Sequence, residues 1–185
     1  LLDGTDNFET TYNGAYHTVT ATAVGVVSGE TVNLTLSDNY KKDAGEYTAR
    51  ATLGAVYSNY QMTPATKAWT INPKAVSLVW KLDNEDKVFV LYNGEEHVMT
   101  ANIINLETGD SAVTVSGYTG SVNTGKGSLT DGNKATQRGT YTTTAATLSS
   151  PNYTLTGGTN LSVNWSINVV TLSFSWSTAT LTYNG

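Results

Sequence analysis

The chain has 185 residues, a formal net charge of -5 and no cysteine, which excludes a disulfide framework and thiolate metal sites. Hydrophobic residues make up 39%, enough for a core, while charged residues reach only 14%; with Lys41-Lys42 the one pair of adjacent lysines, nothing favours a nucleic-acid partner. No stretch approaches the roughly 18 to 20 apolar residues of a membrane span, and the opening LLDGTDNFETTYNG has no basic-then-apolar leader, so the chain reads as a mature or excised segment.

Taken in chain order, the segments HTVTATAV (17–24), TVNLTL (31–36), EYTARATL (46–53), AVTVSG (112–117), TYTTTAATL (140–148) and VTLSFSW (170–176) alternate small or polar with apolar residues. A period of two marks strands with one wet and one buried face, and Thr and Val, stiff at χ1, suit a pleated surface. Between the strands stand YNG, SGE, DAG, TGD and TGG, whose Gly, Asn and Asp accept the positive φ of tight turns. No window carries apolar residues at helical spacing for three turns. The expected class is all-β.

The same order occurs twice. TYNGAYHTVTATAVGVVSGETVNL (11–34) runs beside LYNGEEHVMTANIINLETGDSAVTV (91–115), AGEYTARATLGAVYSNYQM (44–62) beside RGTYTTTAATLSSPNYTL (138–155), and AWTINPKAVSLVW (68–80) beside NWSINVVTLSFSW (164–176). This predicts one module over 1–72 lacking its first strand, a second over 73–168 with a surface-loop insertion near 117–138, and the first strands of a third over 169–185. Six or seven short strands per module suggest antiparallel, immunoglobulin-like β-sandwiches, with β-grasp modules as the alternative. DAGEY and QRGTY sharpen the first reading, since a turn glycine two residues before a strand-opening tyrosine fits a tyrosine corner. Asn72-Pro73-Lys74 leaves little slack between modules, so they are expected to stand end to end.

Chemistry-bearing residues are few. Asp83, Glu85, Asp86, Glu107 and Asp110 sit in expected turns, and LDNEDK (82–87) lacks the spacing and central glycine of a calcium loop. His17 and His97 hold one position per module and read as strand-entry residues bonded to a neighbour, with no second histidine to complete a metal set. No cofactor, catalytic group or metal site is expected. The repeated aromatics, Trp69/Trp165, Trp80/Trp176, Tyr12/Tyr92/Tyr183, Tyr47/Tyr141 and Tyr60/Tyr153, read as core or corner residues. Tyr16, Tyr40, Tyr57 and Tyr118 have no counterpart and are the candidates for ligand contact.

The succession YNG, H-x-V-x-A, SGETVNLTLS, AGEYTARATL, NY and AWTIN resembles the MBG or YDG type repeats found in tandem in bacterial surface proteins and adhesins. The resemblance implies a secreted, non-enzymatic segment at the bacterial cell surface, acting as a stalk, or alternatively as an adhesive module that meets a host glycan or matrix protein. Its partners would also include neighbouring repeats. Because the chain lacks a first strand at its start and carries a spare one at its end, residues 170–185 are expected to pair with an exposed sheet edge of the first module of another copy, or to fold back onto their own chain.

Overall fold

A computed structural model describes residues 1–176 and 183; the remainder of the expected exchange segment, 177–182 with 184 and 185, lies outside the described residues. Among the described residues every regular element is a strand and none is a helix, as the alternation requires. The first half carries β1 (Glu9–Thr11), β2 (His17–Thr18), β3 (Leu34–Ser37), β4 (Tyr40–Lys41), β5 (Gly45–Leu53) and β6 (Ala65–Asn72). The second carries β7 (Lys74–Leu82), β8 (Phe89–Leu91), β9 (His97–Ile103), β10 (Val115–Gly125), β11 (Lys134–Ala135), β12 (Gly139–Leu148), β13 (Tyr153–Thr159) and β14 (Ser162–Asn168).

One sheet of each half has the same plan: β1-β6-β5-β3 in the first, β8-β14-β12-β10 in the second. In both, the three longer strands run antiparallel, and the short outer strand lies parallel to its neighbour. The remaining strands form β2-β4 in the first half and β11-β9-β7-β13 in the second, where β13 is again parallel to β7. The expectation of purely antiparallel sheets is therefore corrected to mixed sheets. Each parallel pair joins strands far apart in sequence, as a parallel partner demands, because a tight hairpin can only reverse the chain.

Alternation sets the layers. On β12, Tyr141, Thr143 and Ala145 are buried while their neighbours face outward, and on β9 His97, Met99 and Ala101 are buried in turn. Leu82, Met99 and Ala135 from one sheet meet Tyr141, Trp165 and Ile167 from the other, a sandwich-like core. A second cluster crosses the midpoint of the chain: Tyr12, Trp69 and Ile71 belong to it together with Val76, Leu78, Ala101 and Tyr153. At about 25 cal/mol per Å² of apolar surface, each fully buried Leu or Ile there contributes roughly 2 kcal/mol.

The stretch 117–138, expected as a surface loop, is corrected in part. Residues 117–125 prolong β10 along β12, with register shifts at Gly117 and between Val122 and Thr124. Serine and threonine hydroxyls line this ribbon, Thr124 bonding Thr140 and Asn123 bonding Thr142. A hydroxyl-rich insertion can extend a solvated ladder without needing a core beneath it.

Candidate functional site: the contact between the two halves

The site begins at a turn. Gly14 has φ +76° and Gly94 has φ +86°, a conformation that side chains disfavour. In each turn the asparagine side chain accepts a backbone N–H two residues on, Ala15 onto Asn13 at 2.9 Å and Glu95 onto Asn93 at 3.0 Å. The same oxygen meets Nε2 of the buried histidine, His17 at 3.1 Å and His97 at 3.0 Å. Nδ1 of each ring faces a carboxylate, Asp3 at 2.5 Å and Asp83 at 2.8 Å. The other oxygens of Asp3 and Asp83 accept the N–H of Thr18 and Val98. Burial alone would raise the Asp3 carboxyl, but the bonds from His17 and Thr18 outweigh it and hold the group below the usual carboxylate range. The histidines are thus fasteners that pin the YNG turn to a preceding turn, as expected for strand-entry residues. The LDNEDK carboxylates are engaged within the chain: besides Asp83, Asp86 pairs with Lys81 and Glu85 with Lys87. Among the described residues no group of three or more His, Asp or Glu gathers in metal-ligating geometry.

Pinning the turn aims the tyrosine before it. The Tyr12 ring is 2% exposed and crosses the Tyr153 ring edge-on at 5.5 Å. Both hydroxyls donate to the same oxygen, Oδ2 of Asp110, at 2.7 Å each. The Tyr153 oxygen also accepts the Glu107 N–H at 2.8 Å. The two tyrosine bonds hold the Asp110 carboxyl below its ordinary value against the opposing effect of burial. Conversely, burial and then the Asp110 bond raise Tyr12, while Tyr153 is pushed up to about 12 by burial, relieved by the Glu107 N–H and reinforced by Asp110. The arrangement favours neutral phenols around one carboxylate.

Further bonds surround this plug. Asn152 accepts the Ala44 N–H at 2.8 Å and donates to Asp43 at 2.9 Å, tying the tip before β13 to the corner before β5. Lys74 pairs with Glu107, whose Cβ would stand 3.1 Å from a Cβ placed at Gly14. At Gly14 the positive φ is thus joined by a tight approach, whereas at Gly94 only the φ calls for glycine. The corner itself is set by Tyr47, whose hydroxyl donates to the Asp43 carbonyl at 2.7 Å; Tyr141 makes the matching bond to Gln137.

Of the candidate contact residues, Tyr16 and Tyr40 come together, stacked at 4.5 Å with planes 6° apart and more than half exposed. Tyr57 lies apart, its hydroxyl accepting the Asn33 N–H at 3.1 Å. Tyr118 packs against Trp80 and accepts the Ala101 N–H at 3.1 Å, which makes it an internal prop. Among the repeated aromatics Trp69 and Trp165 are buried, but Tyr92, Trp176 and Tyr183 are not. Tyr92 and Trp176 are 40% and 85% exposed where Tyr12, covered by the second half, is 2% exposed.

Asp110, Asn152 and Lys74 escaped the sequence reading, which left Asp110 as a solvating turn carboxylate. The signal lay in the correspondence of SGE (28–30) with TGD (108–110) and of SNY (58–60) with PNY (151–153), which places a carboxylate and an Asn-Tyr pair at matching positions of both copies. A comparison with known protein families, curated sequences and solved structures finds no match for this chain.

Proposed function

We propose that this chain is a non-catalytic, extracellular spacer from a bacterial surface adhesin, built of immunoglobulin-like modules of the MBG or YDG repeat kind. In this reading the modules span 1–72 and 73–168, and a third starts at residue 169. The observation that carries the proposal is the seat of Tyr12 on Asp110 and Tyr153, a buried, hydrogen-bonded contact between the halves. A spacer has to hold successive units at a fixed angle, and an aromatic plug beside a nearly slack-free Asn72-Pro73-Lys74 link does so. The like strand order of β1-β6-β5-β3 and β8-β14-β12-β10 and the matching His-Asp-Asn sets support a repeat built twice. Small-angle scattering with NMR relaxation tests the reading: both halves should tumble as one body of fixed length, and independent tumbling of the halves would sink it.

A second reading, an adhesive module for a glycan or matrix protein, is favoured by the stacked, exposed Tyr16–Tyr40 pair, since aromatic faces suit sugar rings. A glycan and matrix-protein array run with the chain and with a Tyr16→Ala, Tyr40→Ala variant decides it. Binding lost in the variant supports adhesion, and silence of the parent chain removes it.

A further inference from the structure

The outermost strand of a sheet carries a row of N–H and C=O groups with no strand beside them. In the first half that strand is β3, 4 residues long and ended by Asp38, whose φ of +53° turns the chain away. Its counterpart β10 stands in the same place, outermost in β8-β14-β12-β10, but runs for 11 residues, the longest strand among the described residues. Among the described residues β10 pairs with β12 alone, and no other backbone bond reaches it. Residues 119–125 are all exposed.

Proteins guard such edges with charges, proline, short strands or bulges. β10, VSGYTGSVNTG, has no charge and no proline. The wet face behind it is neutral as well, since β12 turns Thr140, Thr142 and Thr144 outward where β5 has Glu46, Thr48 and Arg50. Bulges are present, at Gly117 and between Val122 and Thr124, but between them Tyr118 to Val122 run opposite Ala145 to Tyr141 without a break. This stretch is symmetric about Gly120. Tyr118 and Val122 lie on the core side, opposite buried Ala145 and Tyr141, and Thr119 and Ser121 lie on the wet side. Val122 is 38% exposed, a branched apolar side chain at the open edge, while Tyr118 is half-buried against Trp80.

We infer that a second copy of the chain pairs with this edge, β10 against β10, antiparallel about a twofold axis at Gly120. Gly120 then faces Gly120 of the other copy, Thr119 faces Ser121, and Tyr118 faces Val122. A strand set against its own reversed copy brings like charges together near the axis, and β10 has none to repel. Tyr118 beside Val122 is an aromatic and β-branched pair, and Thr119 beside Ser121 a hydroxyl pair, both of kinds that stabilise facing strands. Gly120 puts no side chain at the axis, so the backbones can close to ladder distance. The main-chain bonds of strand addition supply the attraction and these pairs the register. Two 4-stranded sheets thereby become one continuous sheet, and because the contact is isologous it closes as a dimer. The pairing goes beyond the spacer reading and does not rest on it.

Sedimentation of the parent chain at rising concentration should show a monomer and dimer in equilibrium and nothing larger. Ser121→Lys sets an ammonium group on each side of the axis and should weaken the dimer about tenfold or more, whereas Ser162→Lys, on β14 of the same face, should leave it unchanged. Both serines are exposed, so the variants keep the fold, which circular dichroism verifies. The register is read by cross-linking, because the chain has no cysteine of its own. On mild oxidation, Thr119→Cys mixed with Ser121→Cys should form the mixed disulfide about tenfold faster than Thr119→Cys mixed with Thr124→Cys, since only the first two stand directly opposite. A monomer at every concentration, association that grows past the dimer, a dimer untouched by Ser121→Lys or weakened equally by Ser162→Lys, or equal rates from the two mixtures would each overturn the pairing.

Discussion

At His97 both ring nitrogens meet oxygen acceptors, and Asn93 Oδ1 is fixed as an acceptor because it also takes the Glu95 N–H. Both ring nitrogens are thereby engaged, Nδ1 with Asp83 and Nε2 with Asn93. Replacing His97 by Ala leaves a partly buried carboxylate and an amide oxygen each short of a partner. The expected loss is about 2 kcal/mol, below the value for a fully buried pair because Asp83 keeps some contact with water. Urea unfolding followed by tryptophan fluorescence checks this, and an unchanged midpoint would show the fastener to be idle. From the sequence, the histidine was visible as a residue bonded to a neighbour, but its partner was not. Asp83 is 14 residues away and is brought near by a turn in which Asp83 and Asn84 both take positive φ, a conformation that no periodicity encodes.

Among the elements, β10 departs furthest from its sequence reading. Its counterpart β3 has 4 residues and β10 has 11, the surplus coming from a stretch rich in Gly, Ser, Thr and Asn that looks like loop. What makes it a strand is the partner: β12 offers ten residues of open ladder, and pairing overrides weak local propensity. Gly120 shows how tight that pairing is. A Cβ there would stand 2.3 Å from the Gly132 carbonyl oxygen and 2.7 Å from that of Thr142. Gly120→Ala should therefore cost about 2 to 3 kcal/mol, since backbone must move, while the neighbouring exposed Ser121→Ala should stay within about 0.5 kcal/mol. Thermal unfolding of the pair decides it; equal midpoints would mean the ribbon yields freely. Strands with a core face, such as β5 with Ala49 and Ala51 turned inward, were legible because burial writes the period of two. The parallel outer strands were not, because β1 and β8 have 3 residues each and alternation over 3 residues carries almost no signal.

Across the whole molecule the two halves share, besides the Asn152 bonds and a common apolar cluster, one carboxylate that takes a tyrosine from each. Tyr153 ionises near pH 10 in an unfolded chain and at about 12 here, and Tyr12 is raised in the same sense. A group whose folded value is raised contributes stability that is complete below the unfolded value and vanishes as pH climbs through the folded one. The contact should hold to about pH 10 and fail progressively toward about pH 12. Tyrosine absorbance followed across that range should show late-ionising phenols released together with unfolding; in Asp110→Ala their release should shift to lower pH. Tyr12→Phe, which removes one donor but keeps the ring, should cost about 1 to 1.5 kcal/mol and leave the halves coupled. If Asp110→Ala titrates like the parent chain, the carboxylate does not join the halves.

The parallel pairing of β1 with β6 and of β8 with β14 bears on how the molecule meets tension. The chain runs into the first sheet through β1 and out along β6, and β8 and β14 stand in the same relation in the second. Force applied along the chain drags β1 backward and β6 forward. The bonds that set Glu9, Thr10 and Thr11 against Thr70, Ile71 and Asn72 are then sheared all at once, not peeled open in succession. Strands of only three residues, too short to matter for the core, are thus placed where they act as latches against extension.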